Sequence, residues 1–194
     1  NLERNEHYWN GEVKLKHAKF MFNEDANARQ LAFQAKTADI VYRPPIESLE
    51  LLKADSTVKV DSLPSLRTHQ LIYNMNNHDL KKTAVRKAFD HLINRDEIAS
   101  GIMSGQGTPA QGPFLSDFPF SPEYITKKFD LNATREGFKE AGYTVQNGKV
   151  TNPDGSSLHL TLLTYQSRAE LPLISQLIQA NAKELRITID IRQV

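Results

Sequence analysis

Residues 158–194 read LHLTLLTYQSRAELPLISQLIQANAKELRITIDIRQV, which is a strand pattern, a helix pattern and a second strand pattern in succession. Apolar residues recur in Leu158–Tyr165 and in Ile187–Val194, and each run predicts a β-strand. Leu171–Leu185 lies between them and predicts a helix. A strand, a helix and a strand in this order form a βαβ unit, in which the strands are parallel and the crossover is right-handed. The segment therefore predicts an α/β fold.

The remainder of the chain extends the same alternation of helices and strands. Further helices are predicted at Ala26–Ala35, Ile46–Ala54, Lys82–Ile93, Asn94–Met103 and Asn132–Ala141. Further strands are predicted at Leu15–Phe22, Asp39–Tyr42, Val58–Leu63 and His69–Asn74. A loop rich in glycine and proline is predicted at residues 104–122. Together these elements predict a mixed β-sheet with flanking helices.

Composition narrows the class of protein. The 194 residues carry a formal net charge of +1, and a duplex-binding domain usually shows a clear basic excess. Nucleic acid is therefore not predicted as a partner. There is no cysteine, which excludes disulfides, thiolate metal sites and cysteine nucleophiles. Hydrophobic residues are 39% and charged residues 24%, values typical of a globular domain.

The chain lacks the motifs of the common enzyme classes. Neither GxSxG nor GxxxxGK[ST] occurs, so no catalytic residue is predicted. The six histidines are scattered without the spacing of a metal site; they are His7, His17, His69, His78, His91 and His159. No resident metal or cofactor is predicted.

Four residues are candidates for ligand binding. Tyr42 and Arg43 follow a predicted strand and precede the rigid Pro44-Pro45 turn, where a guanidinium can pair a carboxylate bidentately. Arg67 and His69 lie in a polar segment that leads into another predicted strand, a position that often meets ligand in α/β sheets. The structural alternative for each of them is a surface side chain at the end of a strand.

Motifs along nearly the whole chain resemble those of one family. Residues 4–11, RNEHYWNG, resemble its RNxxYWxG motif, and residues 85–98, VRKAFDHLINRDEI, resemble its consecutive helices. Shorter matches occur at Ala28-Arg29, Ala38-Asp39-Ile40, Leu71–Asn74 and Ala141-Gly142-Tyr143. On these residues the chain is similar to the solute-binding proteins of ABC importers for peptides and nickel complexes. It is most similar to the nickel and metallophore branch. Lys36-Thr37, Gly137 and Arg186 depart from the family pattern.

The resemblance implies a receptor with two lobes of the type II periplasmic-binding-protein fold, which closes on its solute and is not an enzyme. Residues 1–194 would form one lobe, the second, and residues 1–13 would cross from the other lobe. The solute would be nickel, a metal–metallophore complex or a peptide, and the partner would be a membrane permease. The protein would lie outside the cytoplasm, either lipid-anchored on the outer face of the membrane or in the periplasm.

Within the family, an oligopeptide-specific binding protein remains an alternative. Two interpretations from other classes also stay open. The loop at residues 104–122, with its phenylalanines, could serve a protein-interaction domain, which predicts an exposed apolar patch. An enzyme of unrecognised type would instead require a concave pocket, within these residues, in which titratable groups with shifted pKa values converge.

Overall fold

The computed structural model describes residues 1–63, 65–115, 118–124 and 127–194, so residues 116 and 117 of the predicted loop 104–122 lie outside the described residues. The described chain forms two compact units, Asn1–Val60 and Asp61–Val194. The predictions that residues 1–194 form one lobe and that residues 1–13 cross from another lobe stay predictions.

The first unit consists of short elements. In chain order they are β1 (Leu2–Glu3), β2 (His17–Ala18), α1 (Ala26–Gln34), a 3-10 turn (Ile46–Ser48) and α2 (Leu49–Ala54). The two strands pair in antiparallel orientation. Helix α1 begins after Asp25, whose carboxylate accepts a hydrogen bond from the amide of Ala28 at 2.6 Å. Helices α1 and α2 lie where the sequence predicts them.

The second unit contains the larger elements. In chain order they are α3 (Thr83–Leu92), α4 (Arg95–Glu97), α5 (Leu131–Glu140), β3 (Thr144–Gln146), β4 (Lys149–Thr151), β5 (His159–Thr164), α6 (Glu170–Glu184) and β6 (Thr188–Gln193). Helix α4 continues as one turn of π-helix (Ile98–Ile102), called the π-turn below. Strands β5 and β6 are parallel, in register from the pair His159–Thr188 to the pair Thr164–Gln193, and α6 connects them. The predicted βαβ unit is confirmed.

The core of the second unit lies between α3, α5, α6 and the β5–β6 pair. Helix α3 contributes one apolar face to it, because Val85, Phe89 and Leu92 recur at helical spacing and are buried. Phe138 of α5 is fully buried and meets Phe89 edge to face, with ring centres 5.4 Å apart. Tyr143 also meets Phe138 edge to face, with ring centres 5.3 Å apart.

Helices α3 and α5 approach each other closely at Gly137. A Cβ atom added to Gly137 would lie 2.9 Å from the Cβ of Ala88 and 3.3 Å from its Cα. Real side chains do not tolerate this separation without movement of one helix. The absence of a side chain at Gly137, a departure from the family pattern, is therefore explained by helix packing.

Several predicted strands are not formed among the described residues. The strand predicted at Leu15–Phe22 is reduced to His17–Ala18, and Asp39–Tyr42, Val58–Leu63 and His69–Asn74 are not strands. The one mixed sheet that the sequence predicts is replaced there by three separate two-stranded sheets, of which only β5–β6 is parallel. A strand forms where a neighbouring strand pairs its backbone groups in a ladder, and no such ladder is formed at these segments in the described part of the chain. Some of their apolar side chains are strongly exposed, with Ile40 85% and Ile72 87% accessible.

The β3–β4 hairpin is not predicted from the sequence, although Asn147-Gly148 is a typical turn sequence. Asn147 and Gly148 connect the two strands, with φ angles of +49° and +75°. Two consecutive positive φ angles are typical of the type I′ turn that Asn-Gly favours in hairpins. The strands themselves have three residues each, too few to show an alternating pattern.

Candidate functional site

Tyr42 and Arg43 form an exposed turn in the first unit. The Tyr42 side chain is 73% exposed, and the Arg43 guanidinium carbon lies 5.0 Å from the centre of its ring. This is a cation–π distance. Two of the residues predicted to bind ligand are thus in contact and present one cationic and aromatic surface.

The position of Arg43 differs from the prediction in one respect. Because Asp39–Tyr42 is not a strand, Arg43 does not follow a strand end in the described structure. It occupies instead a turn in which its own φ is +54°, in the left-handed region that non-glycine residues seldom adopt. Pro44 follows at once, and Pro45 is buried.

Arg29 of α1 holds the main chain of this turn. Its Nε donates to the carbonyl of Tyr42 at 3.2 Å, and its Nη2 donates to the carbonyl of Arg43 at 2.8 Å. Its Nη1 donates to the carbonyls of Asn23 and Glu24, each at 2.8 Å. Arg29 is not among the residues that the sequence predicts to be functional. Its one signal is the Ala28-Arg29 pair in the family resemblance.

Arg67 and His69 lie in the second unit. The Arg67 side chain is exposed, and its backbone amide donates to the hydroxyl of Ser65 at 3.3 Å. His69 Nε2 lies 3.2 Å from a carboxylate oxygen of Glu170, and both side chains are largely buried, 30% and 12% exposed. His69 therefore has a protein partner at the start of α6, and it does not stand at the mouth of a strand as predicted. Glu170 is a contact that the sequence does not predict.

Two tyrosines in the second unit have perturbed pKa values. Burial, and next the charge of Asp90, raise the pKa of Tyr73 to about 12. Burial also raises the pKa of Tyr143, as does its hydrogen bond to Asp79. The Lys82 ammonium lies 4.7 Å from the centre of the Tyr143 ring. Both rings pack against or within the hydrophobic core, so these pKa shifts report packing.

A small cavity lies beside the loop that follows the π-turn. It has a volume of about 140 Å³ and is lined by Arg95, Asp96, Pro109, Gln111, Lys127, Lys128 and Phe129. Arg95 is already engaged, because it pairs with the Asp90 carboxylate and donates to the carbonyls of Asp90 and Lys127. The enzyme interpretation requires a cavity lined by titratable groups with shifted pKa values. Neither Tyr73 nor Tyr143, whose pKa values are raised, lines this cavity.

The phenylalanines of the same loop contact one another. Phe118 stacks on Phe120 with ring centres 5.0 Å apart, and Phe114 meets Phe120 edge to face at 5.4 Å. Phe114 and Phe120 remain 48% and 66% exposed. The use of this loop as a protein contact stays a prediction.

Among residues 1–63, 65–115, 118–124 and 127–194, no group of three or more histidine, cysteine, aspartate or glutamate residues is arranged to hold a metal ion. In the same part of the chain, no helix has both the length and the apolar character needed to cross a membrane.

Comparison with known proteins shows the family to which the chain belongs. The family model described as bacterial extracellular solute-binding proteins, family 5 Middle, matches residues 1–194. The crystal structure of a nickel ABC transporter protein from Bacillus halodurans is 45% identical, with a TM-score of 0.75, and the match covers 99% of this chain and 40% of that one.

Two further relatives extend the comparison. The nickel-binding protein NikA of Staphylococcus aureus (strain NCTC 8325 / PS 47) is 32% identical over 187 residues, 96% of this chain and 36% of its own length. A crystal structure of NikA from Staphylococcus aureus in complex with Ni(L-His)2 matches at 31% identity with a TM-score of 0.75, over 96% of this chain and 38% of that one. The glutathione-binding protein GsiB of Pectobacterium atrosepticum is 29% identical over 161 residues, 82% of this chain and 31% of its own.

The chain thus spans about a third of the length of the curated relatives it matches. The matches extend over almost all of its 194 residues, so the similarity includes both compact units. They confirm the predicted fold class, that of the peptide- and nickel-binding proteins.

Proposed function

Because the chain belongs to family 5 of the bacterial extracellular solute-binding proteins, we propose that it is part of the receptor of an ABC importer that captures a nickel complex and delivers it to the membrane permease. The observation that carries the proposal is the 45% identity, over 99% of the chain, to the nickel ABC transporter protein of Bacillus halodurans. The proposed function is capture and delivery without catalysis. The receptor would work outside the cytoplasm, either lipid-anchored on the membrane or in the periplasm.

The proposed solute is nickel held in a small carboxylate-bearing chelator. Support comes from the Staphylococcus aureus NikA structure, which was solved with Ni(L-His)2 and is 31% identical to this chain. The carboxylates of such a complex are matched by an exposed guanidinium, which forms charge-assisted and bidentate hydrogen bonds. Arg43 offers that group beside the Tyr42 ring. Nickel is therefore proposed as cargo and not as a resident cofactor.

A peptide is the second candidate solute. The similarity to glutathione-binding GsiB, at 29% identity over 161 residues, supports it. A small peptide also ends in a carboxylate, so Arg43 and Arg67 would serve either solute. The rest of the binding site would come from sequence beyond the 194 residues, since the matched relatives are about three times as long.

His69 stands apart from the other three candidates. Its contact with Glu170 gives it a structural role at the start of α6. For His69 to bind solute, it would have to exchange or share that partner. We therefore place Tyr42, Arg43 and Arg67 first among the proposed contacts, with His69 as a contact of lower rank.

The test is calorimetry on the full-length protein with three probes: nickel(II) in excess L-histidine, free nickel(II), and glutathione. Arg43→Ala is expected to weaken binding of the nickel–histidine complex about 10- to 100-fold, because a hydrogen bond to a charged group contributes about 1.5–3 kcal/mol. Arg186→Ala is the matched control, since Arg186 is also an exposed arginine with a positive φ, +61°.

The two variants are expected to have similar melting temperatures, because alanine in the left-handed region is strained at both positions. If Arg43→Ala binds the nickel–histidine complex as tightly as Arg186→Ala does, Arg43 is not a solute contact. If the wild-type protein binds none of the three probes, the proposed solute classes are wrong. Tighter binding of glutathione than of the nickel complex would select the second candidate.

A further inference from the structure

Arg29 makes an unusual set of hydrogen bonds for a half-buried arginine, because all four acceptors are main-chain carbonyls. Two of them, from Asn23 and Glu24, precede α1, and the other two belong to Tyr42 and Arg43. One guanidinium thus joins two segments that are about twenty residues apart in sequence. A planar guanidinium has donors in a fixed fork, so it sets the relative position of the carbonyls that it binds.

The turn held by Arg29 has a conformation that its own sequence disfavours. Arg43 has a φ of +54°, where its Cβ is crowded by the backbone. The proline that follows further restricts Arg43, since residues before proline favour extended conformations. Strained residues of this kind persist only where surrounding contacts hold them, and they concentrate at functional sites.

The side chains carried by this turn gain no burial from the strain. Tyr42 is 73% exposed, and Arg43 is exposed above its ring. Packing of the Tyr42 and Arg43 side chains therefore does not account for the conformation of the turn. A ligand would account for it, because fixing a binding group before the ligand arrives lowers the entropic cost of association.

We infer that Arg29 is a positioning residue for solute binding, which acts through Arg43 by holding the Tyr42–Arg43 turn in its left-handed conformation. The inference rests on the proposed function, in which Arg43 contacts the carboxylates of the solute. Arg29 itself does not touch solute, because its donors are directed at main-chain oxygens.

The experiment compares Arg29→Ala, Arg29→Lys and Arg86→Ala in the full-length protein. Arg86 is the matched control, because its Nη1 also donates to two loop carbonyls, those of Leu80 at 2.8 Å and Lys81 at 2.9 Å. The ¹⁵N order parameters of residues 41–43 report the order of the turn without any solute. Calorimetry with nickel(II) in excess L-histidine, and separately with glutathione, reports the affinity.

These order parameters are expected to fall from about 0.85 toward about 0.6 in Arg29→Ala and to be unchanged in Arg86→Ala. The affinity for the bound probe should fall about tenfold in Arg29→Ala and stay within about twofold in Arg86→Ala. Arg29→Lys should resemble Arg29→Ala, because an ammonium cannot reproduce the planar fork that spans both segments.

A double variant separates positioning from general stability. If Arg29 acts through the turn, the loss of affinity in Arg29→Ala combined with Arg43→Ala should be smaller than the sum of the two single losses, because the guanidinium that the turn positions is already absent. Additive losses would overturn the inference, and so would unchanged affinity in Arg29→Ala when the wild-type protein binds a probe. If the wild-type protein binds neither probe, the proposed function itself fails, and the inference falls with it.

Discussion

Replacing Gly137 by alanine tests the packing of the second unit at its tightest point. The new Cβ would lie 2.9 Å from the Cβ of Ala88 and 3.3 Å from its Cα, whereas carbon atoms attract best at about 3.5–4.0 Å. Ala88 is buried and its Cα belongs to the backbone of α3, so no side-chain rotation can relieve the contact. One of the two helices has to move by several tenths of an ångström.

Two opposed effects set the magnitude. Alanine is a better helix former than glycine by about 1 kcal/mol, which favours the variant. Overpacking in a core costs about 1–3 kcal/mol. We expect a cost near the upper end, because moving α5 away from α3 also disturbs the contact of the buried Phe138 with Phe89. The net destabilisation expected for Gly137→Ala is therefore about 1–2 kcal/mol.

Native-state hydrogen exchange in the full-length protein is the assay, because it assigns the loss to α3 and α5. A change of 1–2 kcal/mol corresponds to about 5- to 30-fold faster exchange of the most protected amides in residues 83–92 and 131–140. The matched control is Gly101→Ala, whose added Cβ would meet nothing closer than the Glu97 side chain at 4.0 Å. This control should leave exchange in α3 and α5 unchanged.

The same assay contains the result that would refute the packing argument. If Gly137→Ala is neutral or protective, the close approach of the two helices is not rigid. Combining it with Ala88→Gly supplies a second check, because removing the opposing methyl group should make the pair of substitutions cost less than the sum of the two single changes.

Three more predictions follow from local chemistry. Tyr73 keeps its proton in the folded state up to a pKa of about 12, so its contribution to the free energy of unfolding should be constant below about pH 10 and fall by about 2 kcal/mol between pH 10 and pH 12. Urea unfolding of Tyr73→Phe should show a smaller fall over this range. Asp130 accepts hydrogen bonds from the amides of Ala133 and Asn132, which lower its pKa. Asp130→Ala should therefore lower the melting temperature at pH 7, and its difference from wild type should shrink as the pH falls below about 4. Asp130→Asn keeps an acceptor and should lower the melting temperature less than Asp130→Ala does. Arg186→Gly should raise the free energy of unfolding by about 1 kcal/mol in the same urea assay, since glycine accepts the left-handed conformation without strain; a loss of stability would contradict that reasoning.

The predictable part of this fold is the part stabilised by nearby sequence. Helix α3, the βαβ unit and the left-handed Gly142 at the end of α5 all follow from periodicity and capping within a few turns of chain. The segments at residues 39–42 and 69–74 have the composition of strands, but a strand also needs a partner, which composition does not supply. Their residues favour the β conformation, but in the described part of the chain they do not form strands.

The candidate site was predictable to a similar extent. Arg43 could be selected because it stands between an apolar run and two prolines. The four carbonyl contacts of Arg29 could not, because the acceptors are main-chain atoms with no sequence signal. Glu170, more than one hundred residues after His69, is equally invisible to any local pattern.

Residues with a positive φ occur in two kinds of structural setting in the described part of the chain. Among the described residues, Lys36, Arg43, Ser104, Asn147 and Arg186 have positive φ without being glycine. Lys36 and Arg186 each follow a helix, and there the amide of the left-handed residue and the next amide bond back to carbonyls of the last turn, in the arrangement that normally favours glycine.

Ser104 follows the π-turn and also donates back into it, and Asn147 forms the hairpin turn. For these four residues the secondary structure accounts for the backbone, whichever side chain is present. The backbone of Arg43 has no such explanation, since it ends no helix and joins no strands. Its carbonyl accepts a hydrogen bond from the Arg29 side chain, and its exposed guanidinium lies over an aromatic ring. That difference is why we propose Arg43 as a solute contact, while Arg186, with nearly the same φ, is explained by the end of a helix.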